Sequence, residues 1–128
     1  MITIKRWDND EVIYTSNKET IKEAVEEAVA NKISLAYADL RKANLHKANL
    51  SEANLYKADL YKADFSKADL SEASLFKADL SEADLSRTNL SRADLSQANL
   101  SRANLSEADL YDVKIDEDVD IRKLLNIK

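Results

Sequence analysis

The chain is expected to fold as an all-β solenoid, a stack of square coils, and two observations lead there. From residue 33 to residue 117 an apolar residue returns at every fifth position: Leu35, Leu40, Leu45 and onward to Leu110 and Ile115, with Phe65 the one aromatic on that register. Two positions before each stands Ala, from Ala38 to Ala108, with Thr88 the exception inside the run and Ile33 and Val113 at its ends. A period of five fits neither an amphipathic helix nor an alternating strand, so 17 repeats over 85 residues require a repeat architecture. Two inward positions in five describe a short strand and a corner. Four such sides close a coil, and coils stack by strand pairing at about 4.8 Å. Each central Leu then lies over another in the next coil. Burying each is worth about 2 kcal/mol, so this ladder is the expected main source of stability.

The elements follow in order. Residues 1–32 read as a β-hairpin and a capping α-helix. Ile2 and Ile4 alternate with Thr3 and Lys5, Val12, Ile13 and Tyr14 form a second β-rich run, and Asp8, Asn9 and Asp10 turn between them. A lone hairpin is marginal in water, so it is expected to pack on its neighbours through Trp7 or its Ile and Val side chains. Ile21, Ala24, Val25, Ala28 and Val29 make one apolar stripe at helical spacing, ending near Asn31. Two capping boxes overlap at its start, Ser16 with Glu19 and Thr20 with Glu23. The stripe suits a helix lying across the open end of the coil. Residues 33–117 are the repeat itself. Residues 118–128 read as a short C-terminal helix: Asp118 as N-cap, Val119, Ile121, Leu124 and Leu125 apolar, Arg122, Lys123 and Lys128 basic toward the end. This segment either caps the last coil, whose edge would otherwise pair with other chains, or forms a homodimer contact.

The run Ala-(Asp/Asn)-Leu-x-x resembles the pentapeptide repeat family. The resemblance implies a right-handed quadrilateral β-helix, here of about four coils. The hairpin-plus-helix leader is similar to leaders on some bacterial and phage members. One departure stands out. Family members often carry Gly at the second residue after Leu, where this chain has Lys, Glu, Arg or Gln and contains no Gly at all. A type II corner needs φ > 0 there, which costs a non-Gly residue on the order of 1 kcal/mol. Many corners are therefore expected to use other turn geometry.

Composition excludes several functions. With no Cys there are neither disulfides nor thiolate metal sites. No apolar run approaches the roughly 20 residues that cross a bilayer, and the N-terminus lacks a secretory signal, so a cytoplasmic location is expected. The net charge is −5, which gives no general attraction for nucleic acid or anionic membrane.

Folding the repeat into columns sorts its outer residues. Tyr56 and Phe76 share a column with Ala36, Ser96 and Asp116, and Tyr61 lies on the next side of the same coil. Tyr56, Tyr61 and Phe76 are thus an expected aromatic surface cluster and the candidate protein-binding residues. The alternative is that they stack on the β surface and stabilise the coil. Asp39, Asp59, Asp79 and Asn99 form another column, expected to hydrogen-bond the corner backbone, with Lys42 and Lys62 partly neutralising it. Lys47, Lys67, Arg87 and Glu107 read as a solvated edge. His46 has no second His or Cys to make a metal site and no oriented nucleophile. Thr88 must find a buried partner for its hydroxyl. No cofactor, metal or catalytic group is expected.

The reading is a non-catalytic scaffold or interaction module with a protein partner. An alternative is implied by resemblance alone: some pentapeptide repeat proteins protect DNA gyrase by imitating duplex DNA, as quinolone-resistance members do. Charge argues against it. Duplex DNA as long as this rod, roughly 20 Å, carries about 12 charges. The repeat holds 15 Asp and Glu against 11 Lys and Arg.

Overall fold

The repeats coil as their period requires. The computed structural model describes residues 1–120. Parallel bridges join positions 20 apart in the sequence, in four ladders: Asp39, Asp59, Asp79, Asn99 on side one; Asn44, Asp64, Asp84, Asn104 on side two; Asn49, Asp69, Asn89, Asp109 on side three; Asn54, Ser74, Asp94, Lys114 on side four.

The backbone of one repeat, Asp59–Ala63, accounts for all five of its N–H groups. Asp59 N–H donates to Ala38 O of the preceding coil, while Leu60 and Lys62 donate to Asp79 O and Ser81 O of the following one. Ala63 N–H closes the corner onto Leu60 O at 3.0 Å. The remaining donor, Tyr61 N–H, is taken by the Asp59 side chain at 3.2 Å. A short Asp or Asn before Leu is therefore part of the turn, and the same bond recurs from Arg41 N–H on Asp39 to Tyr111 N–H on Asp109. Most serines after the central residue also donate their hydroxyl to the same side-chain oxygen, as Ser66 does to Asp64 and Ser71 to Asp69, each at 2.6 Å. The expected role of the Asp39 column is thus what its geometry shows.

The expectation for the corners is overturned. Every second residue after Leu from Tyr37 to Asp112 has positive φ, between 52° and 65°, with no Gly among them. That is the sign a type II turn requires at its third residue. The penalty is on the order of 1 kcal/mol per corner, but any other geometry would misdirect the N–H that pairs with the next coil. Lys42, Lys47 and Lys57, for example, each donate such a bond, to Tyr61, Ser66 and Phe76 O. An unmade buried bond costs at least as much as the strain, and the corner holds.

Leu35 through Leu95 on the central register are buried, Phe65 among them, together with the Ala positions from Ala38 to Ala93 and Thr88. Thr88 satisfies its buried hydroxyl by donating to Phe65 O at 2.7 Å. Towards the C-terminal end Leu105 is still buried, but the rest of the inward positions are only partly covered: Ala98, Leu100, Ala103, Ala108, Leu110, Val113 and Ile115 pack on the core half-buried.

The leader closes the other end. Strands β1 (Ile2–Lys5) and β2 (Val12–Ser16) form the antiparallel hairpin, with Asp10 at φ 60° in its turn. The chain leaving β1 then pairs with side one: Asp39 N–H donates to Lys5 O, and Trp7 N–H to Tyr37 O. Helix α1 (Ile21–Ala30) begins at Thr20, whose side chain accepts Glu23 N–H, so the second of the two capping boxes is the one used. It buries Ala24, Val25 and Ala28 in the solenoid core. On side three, Glu26 Oε2 accepts Asn49 N–H at 2.8 Å, standing in for the carbonyl that a preceding coil would supply. Tyr14 ties hairpin to helix by donating to Glu27 at 2.7 Å. That bond holds the Glu27 carboxyl below its ordinary range and raises the Tyr14 phenol above its own.

At the far end Asp116 takes the equivalent part, its carboxylate accepting Gln97 N–H at 3.0 and 3.1 Å. Residues 116–119 form a turn closed by Val119 N–H on Asp116 O. The rest of the expected C-terminal helix, and with it the cap or dimer contact, lies outside the described residues.

Candidate functional site

The corner between sides four and one gathers the aromatic residues. Trp7, Tyr37, Tyr56 and Phe76 run along it with ring centroids 6.1, 5.7 and 5.8 Å apart in succession. Interplanar angles of 34°, 83° and 49° make this a chain of two tilted contacts about one edge-to-face pair, Tyr37 on Tyr56, rather than a flat platform. Cations flank it: Arg6 lies 4.2 Å from the Tyr37 ring centre, Lys57 is within 5.7 Å of Tyr37 and 5.6 Å of Tyr56, and Lys77 is 5.3 Å from Phe76. Trp7 is pinned by Nε1–H donating to Lys57 O at 2.6 Å, yet 47% of it is exposed. Beside it lies a shallow groove of about 370 Å³ lined by Trp7, Tyr37, Lys57, Lys77, Asp59 and Asp79.

The structure thus joins two of the three candidates, Tyr56 and Phe76, and leaves the third out. Tyr61 sits at the next corner, where its hydroxyl donates to Glu82 at 3.0 Å and Lys62 lies 5.4 Å from its ring. Tyr37 and Trp7 were not picked out from the sequence. Tyr37 carried a usable signal, being an aromatic at a corner position otherwise held by long polar residues. Trp7 was expected to pack the hairpin on its neighbours, but that it does so on Tyr37 depends on how the hairpin docks.

The carboxylate column on side one is neutralised differently from the expectation. Arg41 does it, bonding Asp39 at 2.8 Å and reaching Asp59 at 3.7 Å; among the described residues Lys42 and Lys62 form no ion pair. The Arg41 guanidinium holds the Asp39 carboxyl below its ordinary range. Asp59 moves the other way: burial raises it, with repulsion from Asp79 and Asp39 adding to a rise that Arg41 opposes.

His46 and Ser66 do meet, Nδ1 to Oγ at 2.8 Å, with Ser66 in turn on Asp64. The order is wrong for nucleophilic catalysis. Ser66 gives its one proton to Asp64, so His46 Nδ1 is the donor to Ser66 Oγ and cannot act as its base. A second cleft, of about 780 Å³, opens between the end of α1 and the first coil, lined by polar groups including Glu26, Lys32, Ser34, Asn49 and Glu52. Among the described residues no group of three or more His, Asp or Glu is placed to hold a metal ion, and no helix is long and apolar enough to cross a membrane.

Square coils with a Leu core and capped corners define a β-helical repeat protein, a class whose surface rather than its interior does the binding. The chain belongs to the pentapeptide repeat family, whose repeat model matches residues 38–75 and 78–115. Its fold is similar to that of a pentapeptide repeat protein of the Arabidopsis thaliana thylakoid lumen, at 30% identity and a TM-score of 0.62 over 64% of this chain. The match spans only 57% of the Arabidopsis protein. A pentapeptide repeat protein from Nostoc PCC 7120 is also 30% identical, with a TM-score of 0.51 over 87% of this chain and 97% of its own. The fluoroquinolone resistance protein QnrB1 is 22% identical over 73% of this chain and 63% of its own, with a TM-score of 0.30, an overlay too poor to carry an argument. No curated protein sequence matches the chain.

Proposed function

We propose that the chain is a non-catalytic scaffold, a rigid rod whose aromatic corner engages a protein partner. The observation that carries this is the continuous chain Trp7–Tyr37–Tyr56–Phe76, ending in a half-exposed indole over a groove. Aromatic side chains offer large contact area at low entropic cost and are the commonest anchors of interfaces. The solenoid interior supports the non-catalytic part of the reading, being filled by Leu and Ala with no room for a substrate. No observation favours the gyrase reading. The corners carry Lys and Arg at more positions than Asp and Glu, and a DNA mimic needs an unbroken anionic surface.

The test is capture of a partner by the purified chain, identified by mass spectrometry, against variants. Tyr56→Ser with Phe76→Ser keeps the fold, since Ser96 occupies the same column, and is expected to abolish capture. Tyr61→Ser is expected to leave it intact. Capture that survives the double variant would show that the corner is not the site.

A further inference from the structure

Side two carries a feature that the aromatic corner does not explain. Its two edges begin with stacked lysines, Lys42 over Lys62 and Lys47 over Lys67, each pair bridged through the backbone of adjacent coils. All four are exposed, and none has an ion pair among the described residues. Like charges stacked at about 4.8 Å on neighbouring rungs repel one another and destabilise a sheet. Further down both edges the repulsion is relieved: Glu82 follows Lys62, and Arg87 is paired to Glu107 at 2.6 Å. The four uncompensated ammonium groups therefore frame one bounded patch. Asn44 and Asp64 lie inside the frame, and Asp64 is already engaged by Ser66 through both N–H and hydroxyl. The corner diagonally across from Lys42 and Lys62 carries the opposite charge, Glu52 and Glu72. Lys57 and Lys77 stack in the same way at the corner of sides four and one, but there they lie against the rings of Tyr37, Tyr56 and Phe76, and the face they share with Lys42 and Lys62 is lined by Asp39, Asp59 and Asp79.

We propose that the frame of Lys42, Lys47, Lys62 and Lys67 is a docking surface for an acidic polypeptide segment, a run of Asp and Glu from a partner protein. Width decides the class of partner. A side of the coil, three extended residues, is about 10 Å across. A broader polyanion would carry its charge round the corners onto Asp59 and Asp79 on one side and Asp69 and Glu72 on the other. The patch also presents only point charges. Tyr61 stands beside Lys62 but is tied to Glu82, and Arg41 beside Lys42 is tied to Asp39 and Asp59, so the frame offers neither a run of stacking rings nor a free Arg fork, the devices by which nucleic acids are gripped. A narrow carboxylate-bearing segment matches both limits, and it relieves the Lys–Lys repulsion that the fold leaves in place.

A fluorescein-labelled peptide of about ten Glu residues, followed by anisotropy at about 50 mM salt, tests this. The variant Lys42→Glu/Lys47→Glu/Lys62→Glu/Lys67→Glu keeps the fold, because Glu already occupies the same corner position at Glu52, Glu72 and Glu82 with φ near 60°. Binding is expected to weaken roughly tenfold or more in that variant, as loss of four surface pairs implies. The control Arg92→Glu/Arg102→Glu, at corners further down the rod that also hold φ near 60°, is expected to bind as the parent does. Three outcomes would overturn the proposal: no binding to the parent chain, equal loss in the control, or tighter binding of a single-stranded oligothymidylate of equal length. None of these bears on partner capture at Tyr56 and Phe76.

Discussion

Glu72 sits at φ 58° with an exposed side chain, one of sixteen corner residues held in the left-handed region without a Gly among them. Gly at such a site removes a clash of about 1–2 kcal/mol while adding about 0.5–1 kcal/mol of chain entropy to lose on folding. Glu72→Gly is therefore expected to raise stability by about 0.5–1 kcal/mol in urea denaturation, and a loss would show that the corner is not strained. The side-one carboxylates give a paired test with opposite signs. The Asp39 carboxyl is held below its ordinary value of 3.8, so its contribution is present above that pH and lost as pH falls through the lowered value. The Asp59 carboxyl is raised, so its contribution is complete below 3.8 and lost as pH climbs through the raised value. Asp39→Asn is expected to destabilise at about pH 7 and Asp59→Asn to stabilise, with both differences shrinking as the pH is lowered and the carboxyls protonate. Asn is native in this column at Asn99, where its amide oxygen accepts Ser101 N–H, so neither change removes the turn bond.

At the scale of elements, what could be read from the sequence is what depends on neighbours along the chain. The hairpin, the helix from Thr20, the inward Leu and Ala registers and the Asx corner bond all follow from local spacing, and all are present. The corners were misjudged because local cost was weighed without the ladder: positive φ is unfavourable for Lys or Glu alone, but the bond from that N–H to the next coil is a long-range term. The aromatic corner was half legible for the same reason. Tyr56 and Phe76 share a column by arithmetic, whereas Trp7 reaches Tyr37 only because the end of β1 pairs with side one. The carboxylates of Glu26 and Asp116, acting as replacement carbonyls at the two ends, had no sequence signature at all.

For the molecule as a whole, burial is uneven along the rod. Leu60 is fully covered and Leu110 only partly, although both occupy the central register of the same repeat. Leu60→Ala is expected to cost about 2–5 kcal/mol and Leu110→Ala clearly less, since a cavity penalty needs enclosing neighbours. Equal losses in denaturant would mean that the end is as tightly covered as the middle.

The bonding between coils also gives the rod a direction. On side one, two N–H groups, of Leu40 and Lys42, point from the earlier coil to the later, and one, of Asp59, points back. The same two-to-one bias repeats on every side, so the dipoles do not cancel along the axis. The rod is electrically polar, donor-rich where its last coil faces outward and acceptor-rich where its first coil does. Asp116 is a carboxylate placed at the donor-rich end, on the N–H of Gln97. At the opposite end the leader meets the first coil, with Lys5 O on Asp39 N–H and the Glu26 carboxylate on Asn49 N–H, so that edge is already engaged within the chain.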